Sequence, residues 1–359
     1  MKILLVGDYP PPHGGVSIHV RQLHHFLRNQ GVQTTVLDIG KGGRPAPDVI
    51  PVHTGPQLAL ALWRHLSDGW IPHVHTSGNN PKAWVVAGAI ASACRIGRAP
   101  SVITLHSGLL PAYLAESLER RVFARATLAA YAQVVAVSDA VAEALHGCGV
   151  PASKILVYPA FCASEVRPGE APAGFEVARG RRTPLLAMAH HPSPVYGREL
   201  MFRALALLAE RHPRAGLAVF GPGTRSVDFL ADARKYGVEE LIEDFGELEN
   251  DRALGLMKGC DAFVRPTSAD GDSISVREAL ALGVRCVASD VCARPSGALT
   301  FKAGDPRDLA ERITAALEAG PVRTAAPDAG PVLLELYRGL GGAPRGDTTV
   351  AGEGASAGA

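Results

Sequence analysis

The segment Arg265–Leu280 sets two carboxylates, Asp270 and Glu278, around a loop of small residues, Gly271, Asp272, Ser273, Ile274 and Ser275, that opens a helix-like run. Carboxylates accept hydrogen bonds from hydroxyls, and bare amides at a helix N-terminus attract phosphate. The arrangement suits a ligand that is polyhydroxylated at one end and phosphorylated at the other. Two other readings compete for the same residues. Ser275 and Glu278 have the spacing of a capping box. Asp270 and Asp272 have the spacing of an Asp-x-Asp clamp for a metal held on a nucleoside diphosphate. An EF-hand is excluded, because Ser275 stands where the sixth position needs glycine and Ala281 stands at the twelfth.

Other candidate loops also follow apolar, strand-like runs. Asp8–Gly15 is stiffened by prolines and ends in Gly14-Gly15, which lets backbone amides approach an anion or simply turns the chain into a helix. His106-Ser107-Gly108 places a histidine at a strand end, where it can hydrogen-bond a ligand or cap its own turn. His73 and His75 alternate on one face of a strand-like segment; with no third ligand evident, they read as packing or lining rather than a metal site. Ser138-Asp139 reads as a helix cap, and Gly221–Thr224 as a backbone-exposing turn. No full Gly-x-Gly-x-x-Gly and no phosphate-loop lysine motif occurs, which disfavours a nicotinamide cofactor.

The elements that must carry these loops alternate strand and helix. Expected strands are Lys2–Val6, Thr34–Asp38, Val102–Leu105, Val134–Val137, Ile155–Val157, Leu185–Ala189, Leu217–Phe220, Ala262–Val264 and Arg285–Ala288. Continuous apolar strands between helices predict an α/β fold of parallel, doubly wound sheets, whose ligands sit beyond the carboxyl ends of the strands. Helices are expected after Gly15, over Glu116–Tyr131, after Ser138, over Glu199–Glu210 and over Val332–Gly339. A Gly-, Pro- and Arg-rich stretch marks a boundary. It divides the chain into a domain at 1–164, a linker at 165–182, a second domain at 183–320, a terminal helix at 331–340 and a disordered tail at 341–359.

The 359 residues are 47% apolar and 20% charged with a net charge of +1, so neither size nor charge points to nucleic acid. Six scattered cysteines, with no Cys-x-x-Cys, read as reduced thiols of a cytoplasmic protein. The longest apolar stretch, Ala83–Cys94, is too short to span a bilayer.

From Met1 to about Leu340 the chain resembles the retaining glycosyltransferases of family 4, which have the two-domain GT-B fold: two doubly wound, Rossmann-like parallel-sheet domains facing across a cleft. The stretches that carry the resemblance are Gly14-Gly15, Thr104–Gly108, Val135–Ser138 with Lys154–Pro159, Phe245-Gly246-Glu247, Cys260–Thr267 and Glu278–Asp290. The most specific is the pair of acids separated by seven residues.

The resemblance implies a role for each matching residue. Glu278 would accept hydrogen bonds from the donor's ribose, and Asp270, where the family usually has Glu, would hold hydroxyls of the transferred sugar. Gly271, Asp272 and Ser273 would line the sugar. The Ile274 and Ser275 amides, with Gly15 from the other domain, would meet the diphosphate, and His106 would touch the transferred sugar. The family's Arg and Lys on the diphosphate are replaced here by His191 and Tyr196. The departing diphosphate needs positive compensation. Arg198 is the first candidate, with Arg265 and a protonated His191 behind it.

The implied reaction passes a sugar from a nucleoside-diphosphate sugar to a glycan or polyprenyl-linked acceptor, in surface or exopolysaccharide synthesis, with no cofactor and no metal required. The basic stretch Glu119–Arg125 is a candidate peripheral membrane contact, or a solvated helix face. Alternatives are a metal-dependent transferase using Asp270 and Asp272, a nucleotide-sugar epimerase on the same scaffold, and a catalytically inactive sugar-nucleotide-binding protein.

Overall fold

The computed structural model describes residues 1–11, 13–42, 45–320 and 327–342. Seven strands form the first sheet: β1 (Lys2–Gly7), β2 (Gln33–Asp38), β3 (Val49–Pro51), β4 (Ile71–Thr76), β5 (Val102–Leu105), β6 (Gln133–Ala136) and β7 (Ile155–Val157). Their order is β3-β2-β1-β4-β5-β6-β7, and every pairing is parallel. Six form the second: β8 (Leu185–Ala189), β9 (Gly216–Phe220), β10 (Ile242–Gly246), β11 (Ala262–Arg265), β12 (Arg285–Ser289) and β13 (Ala298–Phe301). Their order is β10-β9-β8-β11-β12-β13, again parallel throughout.

Each sheet is covered on both faces, which is why its strands read as unbroken apolar runs. Along β1, Leu4 and Val6 enter one core with Trp84 and Ile90, while Ile3 and Leu5 enter the other with Val20, Leu23 and Leu27. Along β8, Leu186 and Met188 face Phe202 and Leu205, while Leu185 and Ala187 face Phe263 and Val276. This alternation is the strand period of two, and each fully buried Leu or Ile contributes about 1.5–3 kcal/mol.

Both sheets reverse their direction of winding. The chain leaves β1 toward β2 and β3, then returns to the far side of β1 as β4; it leaves β8 toward β9 and β10, then returns as β11. These reversals are where an open α/β sheet binds its ligand. The loops after β1, β8 and β11 hold the candidate residues.

Besides β4, read only as the strand-like segment of His73 and His75, three strands escaped the sequence reading: β3, β10 and β13. All three are sheet edges. They are short or carry charge, as with Glu243 and Asp244 in β10, because an edge need not be apolar on every side. The expected 165–182 linker is also corrected. It contains a helix, Phe175–Arg181, whose Phe175 and Ala178 are buried in the second core. A seven-residue helix with two inward apolar side chains offers too little periodicity to stand out. The helix expected over Glu116–Tyr131 runs Leu118–Ala129, capped by Ser117, which accepts from the Glu119 and Arg120 amides, and a separate short helix, Leu110–Ala115, precedes it. Ser138 caps its helix as its position suggests, accepting from the Val141 amide.

The terminal helix runs Ala329–Gly342, longer at both ends than expected. It packs back on the first domain, burying Leu333, Leu334 and Tyr337 with Ile3 and Leu5. Gly341 and Gly342, placed in the expected tail, belong to this helix; residues 343–359 lie outside the described residues, as does Pro12 of the β1 loop. The chain thus passes between the domains twice, and the two passes lie side by side. Cys162 bridges Asp328, the Ala329 amide donates to the Phe161 carbonyl (2.7 Å), and the Ser164 amide donates to Asp328 Oδ2 (2.9 Å).

Candidate active site

The loop after β5 meets the loop after β11 backbone to backbone. A methyl group on Gly108 would sit 2.0 Å from the Asp270 carbonyl oxygen, and one on Gly271 would sit 2.7 Å from the Gly108 nitrogen. Only glycine permits that approach. Alongside, the first helix (Gly15–Asn29) meets the helix Ile274–Ala281 through Ile18 and Ile274, which pack with Phe161. Gly14 is the N-cap of the first helix. At Gly15 an added methyl would meet nothing within 4 Å, so packing does not require glycine there; Gly14 and Gly15 are exposed, and the Gly14 amide donates to Ser17 Oγ (2.9 Å).

Glu278 is not the partner of a capping box. The helix starts at Ile274 with Ser273 at the N-cap, and Ser273 Oγ pairs with Ser275 Oγ (3.1 Å). Glu278 lies farther along the helix and turns into the domain interface. Its Oε1 accepts from Asn250 Nδ2 (3.2 Å) and, at the long distance of 3.5 Å, from Gln22 Nε2 of the first helix. Burial pushes its carboxyl up to about 7, against smaller opposing effects of Asn250 and Arg21. Next to it, Arg21 Nη2 donates to Asn250 Oδ1, another contact between the domains.

Asp270 is held by three donors on one oxygen. Its Oδ2 accepts from Arg294 Nη1 (3.0 Å), Arg265 Nε (3.2 Å) and Thr267 Oγ1 (3.3 Å). Burial opposes its charge, but Arg265 and Arg294 outweigh burial and hold the carboxyl below the ordinary range. Asp272 is turned to a different arginine, with both its oxygens near Arg277 Nε (2.6 and 2.9 Å). For Asp272 burial prevails and its pKa is raised. The two acids of the Asp-x-Asp reading are therefore engaged by separate guanidinium groups. Among the described residues, no group of three or more His, Cys, Asp and Glu side chains is placed to hold a metal ion.

The expected cations sit differently from one another. Arg198 Nη2 pairs with Asp232 Oδ2 at 2.5 Å and its guanidinium lies over the Phe229 ring, so its charge is matched inside its own domain. His191 stacks on Tyr196 at 4.9 Å, and Tyr196 lies 4.7 Å from the Arg265 guanidinium. Burial and the nearby Arg265 lower the His191 pKa, so the imidazole is neutral near pH 7. This tier is brought close by Gly197, whose positive φ of 71° and bare Cα let the turn press on the Pro266 carbonyl.

On the other side of the cleft, His106 belongs to a cluster of four imidazoles. His75 Nδ1 lies 3.3 Å from His106 Nε2, and the His19 ring lies 5.3 Å from His75 and 5.5 Å from His106. His73 stacks on His75 at 4.1 Å, with one nitrogen on Thr104 Oγ1 (2.7 Å) and the other on the Tyr337 hydroxyl of the terminal helix. Burial pushes His19 down to about 3. Burial first, then the neighbouring imidazoles, set His73, His75 and His106 well below the ordinary value. With their pKa values lowered, the imidazoles favour the neutral form, and His19, His73 and His75 are buried in the first domain beside His106.

The structure thus brings Asp270, Gly271 and His106 to one contact, and sets Ile274 against Ile18 and Glu278 against Gln22 on the helix that Gly15 opens, while Arg198 pairs with Asp232 in its own domain. Sequence reasoning missed Arg294, Gln22, Asn250, His19 and Tyr337. Arg294 sits in an irregular stretch, Ala293-Arg294-Pro295, with no periodic signal. Gln22 and His19 were legible only as buried polar positions on an otherwise apolar helix face.

Comparison with known proteins agrees with this architecture. Residues 13–161 match the family described as Glycosyltransferase Family 4, and residues 175–330 match Glycosyl transferases group 1. No curated protein matches the chain. Among solved structures, the sucrose-phosphate synthase of Thermosynechococcus elongatus aligns with a TM-score of 0.68 at 16% identity, over 94% of this chain and 98% of its own. HepE of Anabaena, in complex with UDP and glucose, aligns with a TM-score of 0.63 at 18% identity, over 89% and 90%. A UDP-N-acetylglucosamine 2-epimerase described as putative, from Listeria monocytogenes, aligns with a TM-score of 0.63 at 13% identity, over 94% and 96%. At these identities the likeness is one of fold, GT-B. The two family matches run in succession through both domains, and the chain belongs to the family 4 glycosyltransferases.

Proposed function

We propose that the enzyme transfers a sugar from a nucleoside-diphosphate sugar to a hydroxyl of a glycan or polyprenyl-linked glycan acceptor, with retention of configuration and no metal. The observation that carries this reading is the meeting of the two β-loop systems: His106–Gly108 against Asp270–Gly271, with Glu278 facing the first helix across the interface. HepE was crystallised with UDP, with UDP and glucose, and with UDP-glucose, which supports a nucleotide-sugar donor here. WaaG, described as a lipopolysaccharide-biosynthesis glycosyltransferase, shares the fold and supports a surface-glycan acceptor.

In this reading Glu278 accepts the ribose hydroxyls, displacing the long contact from Gln22. Asp270 accepts hydroxyls of the transferred sugar, and His106 reaches the same sugar from the first domain. Amides at the Gly15 and Ile274 helix starts receive the diphosphate; Gly271, Asp272, Ser273 and Ser275 line the path between. The bond from the anomeric carbon to the diphosphate breaks, and its electron pair goes to the departing phosphate oxygen. That oxygen accepts the proton of the incoming hydroxyl, whose oxygen bonds to the anomeric carbon on the same face. The protein's contribution is positioning and charge. No helix among the described residues is long and apolar enough to cross a membrane, and a cytoplasmic enzyme that meets its acceptor at a membrane surface fits that fold.

The test is a thermal-shift screen of nucleoside diphosphates and their sugars, with and without chelator, followed by product analysis with acceptor. Stabilisation by one donor family, unchanged by chelator, is expected. Turnover of donor to an isomer without acceptor would favour an epimerase; loss of activity in chelator would favour a metal-dependent transferase; binding without release of nucleoside diphosphate would favour an inactive binder.

A further inference from the structure

His75 is the buried neighbour of His106, and its ring is held from several sides. It lies next to last on β4 and is 2% exposed. The residue after it, Thr76, accepts the His106 amide on its carbonyl (3.0 Å), so β4 and β5 carry the two side chains to the same strand end. A methyl group on Gly7 of β1 would sit 3.0 Å from His75 Cβ, so the neighbouring strand leaves no slack behind it. His73 stacks on it at 4.1 Å and is itself anchored by Thr104 and Tyr337. In this setting His75 Nδ1 and His106 Nε2 face one another at 3.3 Å.

Two neutral imidazoles share one hydrogen bond in only two ways, and the far nitrogen of His75 tells them apart. Both rings favour the neutral form, because burial and the neighbouring imidazoles lower their pKa values. His75 Nε2 is buried and has no hydrogen-bond partner among the described residues. If His106 donated from Nε2, the His75 proton would have to sit on Nε2, leaving an N–H with no acceptor. Orphaned buried N–H groups are rare, whereas an orphaned lone pair is tolerated better. The arrangement with fewer penalties therefore has His75 donating from Nδ1. His106 Nε2 then accepts, and the His106 proton sits on Nδ1. Asp270 points the same way. Arg265 and Arg294 keep its carboxyl below the ordinary range, so it only accepts. A hydroxyl that gives its one proton to Asp270 has only lone pairs left for His106, and a lone pair is met by an N–H.

We infer that His75 is a positioning residue: it donates from Nδ1 to His106 Nε2, and so fixes His106 as a hydrogen-bond donor, through Nδ1, to a sugar hydroxyl whose own proton goes to Asp270. The inference rests on the nucleotide-sugar reading above and deepens it, because it states which way the hydrogen bonds around the transferred sugar run. His75 touches no substrate and exchanges no proton. Its effect passes through the tautomer of His106, in the way that a fixed second partner sets which nitrogen of an imidazole is protonated. The stacked His73 keeps the plane of His75 in place, so the order of the bond is built in before any ligand arrives.

The test has two arms. The first is nitrogen NMR on ligand-free protein labelled at its histidine rings, in which protonated and bare nitrogens have well-separated shifts; His106 is assigned by the signals lost in His106→Gln. Wild type is expected to show His106 protonated on Nδ1 and bare on Nε2. In His75→Phe, which keeps a ring and removes the donor, His106 is expected to shift toward the Nε2-protonated form. The second arm is calorimetry with UDP-glucose, ADP-glucose and GDP-mannose, each against its nucleoside diphosphate. His75→Phe is expected to weaken the preferred sugar nucleotide about tenfold while leaving its nucleoside diphosphate within about twofold. His75→Asn, whose amide nitrogen can stand where Nδ1 stands, is expected to fall between, and it keeps the test decisive if His75→Phe fails to fold. A wild-type His106 protonated on Nε2 overturns the inference. So does an equal loss for sugar nucleotide and nucleoside diphosphate, which marks a purely structural role, and so does no loss in a folded variant. If wild type binds none of the six nucleotides, the donor reading falls and the role at the sugar falls with it, while the nitrogen shifts still decide the tautomer.

Discussion

Gln22 Nε2 and Glu278 Oε1 meet at 3.5 Å across the domain interface, so the carboxylate assigned to the donor's ribose touches the first helix of the opposite domain. That contact is long and the carboxyl is buried, with a pKa pushed up to about 7. A ribose hydroxyl is a better donor at a shorter distance, so ligand binding and ionisation of Glu278 are linked.

The first prediction concerns pH. The Glu278 carboxyl is raised from 4.5 to about 7, so its protonated form is favoured in the folded protein. The stability tied to that proton is present below 4.5 and is lost as pH rises through about 7. Affinity for nucleoside diphosphate should rise between pH 6 and 8, measured by calorimetry. Glu278→Gln should bind more weakly and without that slope, yet melt higher than wild type at pH 8, by on the order of 1–3 kcal/mol. A Gln variant with wild-type activity would remove Glu278 from the mechanism.

The second concerns acid. The imidazoles of His19, His73, His75 and His106 are all lowered, His19 from 6.5 to about 3. The unfolded chain therefore binds more protons than the folded one below about pH 6.5, and stability must fall as pH drops through that range. Urea midpoints at pH 7.5 and 5.0 check this. His19→Leu should flatten the dependence; an unchanged slope would show that this histidine does not carry it.

Closure is tested at Gly108. An added methyl would clash with the Asp270 carbonyl oxygen at 2.0 Å, while Gly108 lies outside the sheets and their cores. Gly108→Ala should lower kcat by about tenfold to a hundredfold, with a small change in melting temperature. Wild-type turnover would mean that the reaction does not need this contact.

Asp270→Ala should abolish most turnover and leave Arg265 and Arg294 without their shared carboxylate, costing about 3–5 kcal/mol of stability. Asp270→Asn separates the two effects, because it keeps the shape while losing the charge. Substantial activity in the folded Asn variant would show that shape, not charge, is what the transferred sugar requires.

Tyr337→Phe should remove the hydroxyl from a buried His73 nitrogen and destabilise the protein by about 1–3 kcal/mol in urea unfolding. A neutral effect would mean that water or a shifted ring replaces the hydroxyl.

The central strands were legible because both their faces are buried and only apolar residues suit them, as with Leu185–Ala189. The edges, such as Ile242–Gly246 with Glu243 and Asp244, were not, since water or a side-chain partner can satisfy what a core cannot. The carboxylates of the site stood out through spacing alone. Their partners did not: Arg294 reaches Asp270 from 24 residues away, and Gln22 reaches Glu278 from 256 away. Such pairings depend on tertiary approach, which no local pattern records. The ion pair of Arg198 was hidden for the same reason. Its closeness in sequence to the expected position said nothing of Asp232, which lies one helix farther on.

The two crossings between the domains are fastened together by Cys162, Phe161 and Ser164 on one pass and Asp328 and Ala329 on the other. The two halves are therefore tied at two separate places, by these paired crossings and by the backbone approach of Gly108 to Asp270 and Gly271, and a substitution that loosens one tie leaves the other in place.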